Sequence, residues 1–529
     1  MGRAVLTQPR LDPSGCTTSL AATLPSESSG ALRVWGAFAL LMMLVTVPLF
    51  STVLPPLIDY PNHLARVRLL IEGGNAFYAV RWAPLPNLAQ DLIVPALAWL
   101  MPLELASKLF LVMVFGVTTA GTIWLNRVAT GVWRMWPLLA FLLLYNRIFL
   151  WGFVNYLFGV GVALCGIALY LALERRTWRL RVLASSLVAL LCYFSHIVAF
   201  GFYALVVFGV EAPLAVAELR RRDWRALARR AAIAGTQFLV PAVLLVSFRQ
   251  SAESGPINYA RFLRKADLLF NVFDNYDRVF DITCFALFVG LFVWLAAAGQ
   301  LRMAPRLASA AAAVFAAYLL LPSQMYEGSG LDHRLPPAMF LLLVASCSPR
   351  FPSRCYGIAI GILVASALII RVAIIERLWL QADRVYSADL AGIDLLPRGA
   401  KLAVAYPSRA VNFAPAPELH LAALAIPRRD AFVPILFALP TQQPIVMRPL
   451  YLALAKTARP EHLWSAFVEG DASELATPAP GFWQYDFVAF TDNQPVHVLP
   501  SRCLQPVFVQ PTFQIFAVVH APSCTRAEE

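Results

Sequence analysis

The stretch Asn87-Leu-Ala-Gln-Asp91-Leu-Ile-Val-Pro95-Ala-Leu-Ala-Trp99-Leu-Met-Pro102 is apolar, yet a carboxylate and a proline interrupt it. A helix that crosses a bilayer needs about 20 apolar residues, and this segment is shorter. If it crosses, every later loop changes sides. Its reading therefore decides the topology of the whole chain.

Around it lie 529 residues, 59% hydrophobic and only 14% charged, whereas a soluble domain carries about 25% charged residues. Such a chain must place many helices in lipid. Apolar runs at 34–57, 104–126, 135–150, 152–173, 182–197, 198–217, 231–249, 279–298, 307–322, 335–348 and 356–375 read as spans. The first is too long for a signal-peptide core and lacks a small-residue cleavage site, so it reads as a retained helix. Residues 1–33 are polar and rich in Ser, Thr and Pro, and read as a disordered cytoplasmic N-terminus.

Arginines fix the orientation, because cytoplasmic loops hold the basic excess. With 87–102 not crossing, the heaviest cluster (Arg220, Arg221, Arg222, Arg225, Arg229, Arg230) shares one side with Arg175, Arg176, Arg179, Arg181, Arg302, Arg306, Arg350 and Arg354. Segment 87–102 then lies on the outer surface or re-enters. The result is an α-helical polytopic membrane protein of about 11 transmembrane helices, N-terminus inside and C-terminus outside. Residues 34–376 form its membrane domain, and 58–103 form a first outer loop with juxtamembrane helices. The net charge of +12 is explained by these loops, so no nucleic-acid partner is implied. The arginine and alanine enrichment looks bacterial.

From about residue 377 to 529 the chain turns polar and proline-rich. Short β-rich runs at Lys401–Tyr406, Phe487–Phe490, Val507–Val509 and Phe513–Val519, with helical stretches at Pro417–Ile426 and Tyr451–Ala455, read as a small α/β domain on the outer face. Cys503 and Cys524 bracket its last two strands, and an oxidising compartment allows them to pair as a disulfide.

The outer loops mix acids, bases and imidazoles, whereas the inner ones are nearly all arginine. Just past the first span comes Asp59-Tyr60-Pro61-Asn62-His63-Leu64-Ala65-Arg66. A carboxylate, an imidazole and a guanidinium thus fall within about two helical turns at the mouth of a span. Asp59 also suits an N-cap before Pro61. Further candidates on the same side are His196, the basic pair Arg264 and Lys265, and the triplet Asp332-His333-Arg334. Each also has a structural alternative, as a hydrogen-bonded interfacial ring, a headgroup anchor or a capping turn. Asp274, Asp277 and Asp281 share one helical face, which leaves a divalent-metal site open alongside a plain solvated face. There is no P-loop, no Gly-rich dinucleotide fingerprint and no His-Glu-x-x-His.

This layout resembles the GT-C superfamily of integral-membrane glycosyltransferases, in the branch of dolichyl-phosphate-mannose and lipid A aminoarabinose transferases. Asp59-Tyr60…His63-Leu64-Ala65-Arg66 is similar to that branch's acidic motif after the first span. Pro84-Leu85-Pro86 and Glu104-Leu105-Ala106-Ser107-Lys108 look like degenerate versions of its later motifs. The second acid is missing, since Tyr60 follows Asp59. The resemblance implies an inverting transfer of a sugar from a polyprenyl-phosphate donor to a glycan or lipid acceptor at the periplasmic face of a bacterial inner membrane. Its mechanism makes Asp59 the candidate general base, and position on the outer face makes His63 a candidate beside it and Arg66, His196, Arg264, Lys265, Asp332, His333 and Arg334 candidate substrate-binding groups. The resemblance makes no cofactor certain and leaves a divalent metal open. A flippase or exporter of a lipid-linked glycan, or a non-catalytic membrane scaffold, are the other readings the residues allow.

Overall fold

The computed structural model describes residues 27–247, 257–325, 328–408, 417–471 and 481–520. Its frame is a bundle of apolar helices: α1 (Glu27–Ser51), α2 (Tyr60–Glu72), α3 (Ala89–Ala98), α4 (Leu103–Thr130), α5 (Arg147–Trp151), α6 (Val154–Ala172), α7 (Trp178–Ser195), α8 (Ile197–Arg220), α9 (Trp224–Thr236), α10 (Leu239–Ser247), α11 (Phe262–Phe270), α12 (Arg278–Ala297), α13 (Pro305–Leu320), α14 (Leu331–Ser346) and α15 (Arg354–Asp394). The protein is a polytopic membrane protein. Among the described residues seven helices are long and apolar enough to cross a membrane, or eight when the bent pair α9 and α10 counts as one span. The expected spans at 135–150, 307–322 and 335–348 correspond to shorter pieces: a 3-10 turn (Trp136–Leu143) running into α5, then α13 and α14.

Two boundaries differ from the sequence reading, at the start of α1 and near residue 376. Helix α1 begins at Glu27, so the polar lead expected to be disordered to residue 33 is already helical over its last turns. Residues 1–26 lie outside the described residues. Segment 87–102 forms only the ten-residue α3, with Asp91 buried in its first turn and Leu92, Trp99 and Leu100 exposed. The expected division near residue 376 falls inside one continuous helix, because α15 runs on to Asp394. Its second half contains no proline, and Trp379, Tyr386 and Ile393 are buried along it. That apolar stripe keeps it helical after the hydrocarbon-length stretch has ended. At about 1.5 Å per residue the helix outruns a membrane core of about 30 Å and carries the C-terminal region with it.

The C-terminal region contains a four-stranded sheet close to the expected runs. We label the strands that matter β1 (Tyr78–Val80), β2 (Leu402–Ala405), β3 (Ile445–Met447), β4 (Phe487–Thr491), β5 (Leu504–Val509) and β6 (Phe513–Val518). The sheet order is β2-β4-β6-β5, with β2 parallel to β4 and the other pairs antiparallel. All four residues of β2 are buried, as a strand covered on both faces requires. Cys503 is disulfide-bonded, and its expected partner, Cys524, lies outside the described residues.

The first loop is tied to this region. Strand β1 pairs antiparallel with β3, Tyr78 opposite Met447 and Val80 opposite Ile445. The buried Tyr78 hydroxyl donates to the Val433 carbonyl and accepts from the Val433 N–H, both at 2.8 Å. A two-stranded ribbon is marginal alone, so these bonds and the surrounding Phe77–Phe432–Tyr451 ring cluster hold it in place.

Candidate active site

The α1–α2 corner is held by backbone contacts before any side chain is considered. Ile58 N–H donates to the Leu150 carbonyl at 3.0 Å, and Asp59 N–H to the Trp151 carbonyl at 3.2 Å. The chain leaves α5 through Gly152 at φ +93°, and a Cβ there would stand 2.6 Å from the Cβ of Asp59. Only glycine combines that backbone angle with that approach.

Asp59 precedes α2, but its side chain makes no capping bond. The carboxyl instead faces a cavity of about 390 Å³, and its Oδ1 lies 3.5 Å from Nε2 of His420. Burial pushes the Asp59 carboxyl up to about 8, against the pull of Arg66 and Arg334. One turn on, His63 Nε2 lies 3.0 Å from the Gly152 carbonyl. A carbonyl can only accept, so this nitrogen carries the proton, and Nδ1 is left buried without a partner among the described residues. Burial holds His63 down to about 3 and His420 down to about 4, so both rings are neutral near pH 7. The contact between His420 and Asp59 is accordingly an acid–imidazole contact rather than a salt bridge. The edge of Phe437 packs on both rings, with centroids at 5.1 Å from His420 and 6.4 Å from His63.

The cavity gathers residues from four parts of the chain: Asp59, His63 and Arg66 from the first loop; Gly152 to Tyr156 at the start of α6; His196 and Arg334 from later helix ends; and Phe437 to Gln443 from the C-terminal region. Arg334 stacks its guanidinium 4.5 Å from the centre of the Phe153 ring, and its Nε is buried without a hydrogen-bond partner. His196 breaks the chain between α7 and α8, where its Nδ1 accepts from Val198 N–H at 3.1 Å. A neutral ring accepting there carries its proton on Nε2.

Other sequence candidates do different work. Arg66 lines the cavity but is fully buried, with its Nε donating to Asp91 at 2.7 Å. It is an internal cation and not a surface charge. Arg264, Lys265, Asp332 and His333 are not among the cavity-lining residues. Lys265 donates to the Tyr318 and Leu321 carbonyls, Asp332 accepts from Ser323, and His333 tilts against Trp151. These groups join α11, α13 and α14 together. The acids considered for a metal are also engaged: Asp274 pairs with Arg147, Asp277 caps α12, and Asp281 pairs with Arg371 at 2.7 Å. Among the described residues no group of three or more His, Cys, Asp or Glu has metal-site geometry.

The sequence reading missed His420, Phe437 and Gln443. No local signal marks them; only the docking of the 3-10 helix Pro417–Leu424 and the loop after it onto α2 makes them part of the site. Asn155, on the cavity wall, ties α6 to the start of α3 and the segment before it, accepting from Gln90 N–H and donating to Asn87.

No family model matches the chain, and no curated protein does. Among solved structures, the chain is similar to ArnT from Cupriavidus metallidurans, solved with undecaprenyl phosphate bound. The TM-score is 0.51 at 14% identity, over 94% of this chain and 99% of that one. The fold is the GT-C fold. A second GT-C structure, the mycobacterial arabinofuranosyltransferase AftD, aligns with 91% of this chain and 41% of its own length at 14% identity and a TM-score of 0.42. The likeness to the ArnT structure extends over the chain well beyond the motifs quoted from the first loop.

Proposed function

We propose that this protein is a membrane glycosyltransferase that moves a sugar from a polyprenyl-phosphate donor to a hydroxyl acceptor at the periplasmic face of a bacterial inner membrane. The observation that carries this reading is the convergence of Asp59, His196 and Arg334 on one cavity beneath the C-terminal region. The ArnT structure of the same fold holds undecaprenyl phosphate, which supports a donor of that class.

The chemistry follows from the groups present. The acceptor hydroxyl oxygen attacks the anomeric carbon while Asp59 takes its proton. The bond from the anomeric carbon to the phosphate oxygen breaks on the opposite face, so configuration inverts and polyprenyl phosphate leaves. A carboxylate whose proton affinity is raised by burial is a stronger base than an exposed one. Arg334 has no carboxylate within ion-pair distance among the described residues, and a cation poised in a dry site stabilises charge developing on a departing phosphate. His63 and His196 are neutral donors or acceptors for sugar hydroxyls. Gln442 and Gln443 bring amides to the same wall from the C-terminal side.

A scaffold reading needs a cavity without a convergent carboxyl and cations, which is the reverse of what is found. The exporter reading gains no support either, since the cavity at the other end of the bundle is apolar.

The test is transfer in proteoliposomes with a panel of radiolabelled polyprenyl-phosphate sugars. Asp59→Asn should lower turnover by about 100-fold or more, the scale of general-base catalysis, with an unchanged circular dichroism spectrum. Full turnover by the variant would refute the assignment.

A further inference from the structure

At the end of the bundle away from Asp59, α1, the 136–143 turn and the first half of α15 enclose a second cavity of about 290 Å³. Its walls are apolar and include Leu41, Trp136, Phe141, Phe351, Gly361 and Val364. Rim residues Leu40 and Met135 are more than half exposed, so the cavity opens to the surrounding lipid.

Two observations say what fills it. Two residues before the lining residues Ala37 and Met135, Trp35 and Trp133 meet edge to face at 6.0 Å, and the Arg127 guanidinium lies 5.6 Å from the Trp133 ring. Tryptophan and arginine so placed mark headgroup depth. Arg134 and Arg350, each adjacent in sequence to a lining residue (Met135 and Phe351), are close enough for their charges to interact. Neither makes an ion pair with a carboxylate among the described residues, and Arg134 Nε is buried without a hydrogen-bond partner. Two guanidiniums whose charges interact repel each other, and a phosphate between them would accept from both. A zwitterionic headgroup would bring an ammonium toward the same two cations with no acid to receive it.

We propose that this cavity is a site for an anionic phospholipid of the leaflet at that end, one acyl chain in the groove and the phosphate held by Arg134 and Arg350. The site is separate from the cavity at Asp59 and does not depend on the reaction proposed there. Gly361 lines the groove, and a Cβ at that position would meet only open space, so a longer side chain there has room to fill it.

The experiment is native mass spectrometry and thermal unfolding of the full chain in detergent, with added phosphatidylglycerol or phosphatidylcholine of identical chains. Phosphatidylglycerol should bind the unaltered protein in preference to phosphatidylcholine and raise its unfolding temperature. Arg134→Gln/Arg350→Gln should weaken that binding about tenfold, as expected for lost charge-assisted bonds. Gly361→Leu, which changes no charge, should weaken it as well by filling the groove. Equal binding of the two lipids to the unaltered protein would overturn the proposal. So would the unaltered protein's preference persisting in either variant that folds.

Discussion

Nε2 of His420 stands 3.5 Å from Oδ1 of Asp59, joining the C-terminal region to the corner after the first membrane helix. His420 does not line the cavity, so it acts through the carboxyl. A neutral imidazole beside a carboxyl that titrates near neutrality can orient it and share its proton.

Replacing His420 with alanine should therefore lower kcat about tenfold, the size of one hydrogen bond to a charged group, with little change in KM for the donor. His420→Gln should recover part of the loss. Steady-state kinetics of both variants, with their pH profiles, provide the check; a change confined to KM would assign His420 to substrate binding instead.

Asp59 makes activity and stability run in opposite directions with pH. Burial raises its carboxyl from 3.8 to about 8, so kcat/KM should climb with pH and level off above about 8. A raised folded-state value means that the folded protein holds the proton more tightly than the unfolded chain. The associated stability is complete below about 4 and is lost as pH rises towards 8. Unfolding temperatures of the wild type and Asp59→Asn should diverge across that window, the variant falling less. Parallel curves would show that Asp59 does not titrate there.

Gly152→Ala should damage the site from outside it. The new methyl would press on the Asp59 Cβ at 2.6 Å, on a backbone held at φ +93°. A strained left-handed residue alone costs about 1–3 kcal/mol. We expect a lower unfolding temperature and a loss of turnover larger than that caused by Gly290→Ala, where a Cβ meets nothing within 4 Å.

Arg66→Met should be among the most destabilising single changes in the first loop. It strands the buried Asp91, and breaking such a pair from one side costs about 3–5 kcal/mol. The double variant Arg66→Met/Asp91→Leu should regain much of the loss, because no unpaired charge then remains buried. Thermal unfolding of both variants decides it.

Much of the frame could be read locally. Hydrocarbon-length apolar runs became helices, and short β-rich runs around 402–405, 487–491 and 513–518 became strands, because both signals depend on neighbours close in sequence. Asp59 stood out for the same reason, as a carboxyl next to a span. By contrast, Lys265, Asp332 and His333 carried the same local signature as Arg334. Only packing separates a charge that ties helices together from one that faces a cavity.

The sequence by itself determined that this chain lives in a membrane and where an acid meets the interface, since the cost of burying polar groups in lipid acts on each segment separately. The tertiary structure decided which groups meet. His420, Phe437 and Gln443 reach the first loop through the docking of the Pro417–Leu424 segment and the loop after it on α2, alongside the β1–β3 pair and the Tyr78–Val433 bonds, and contacts between distant segments leave no periodicity in the intervening chain.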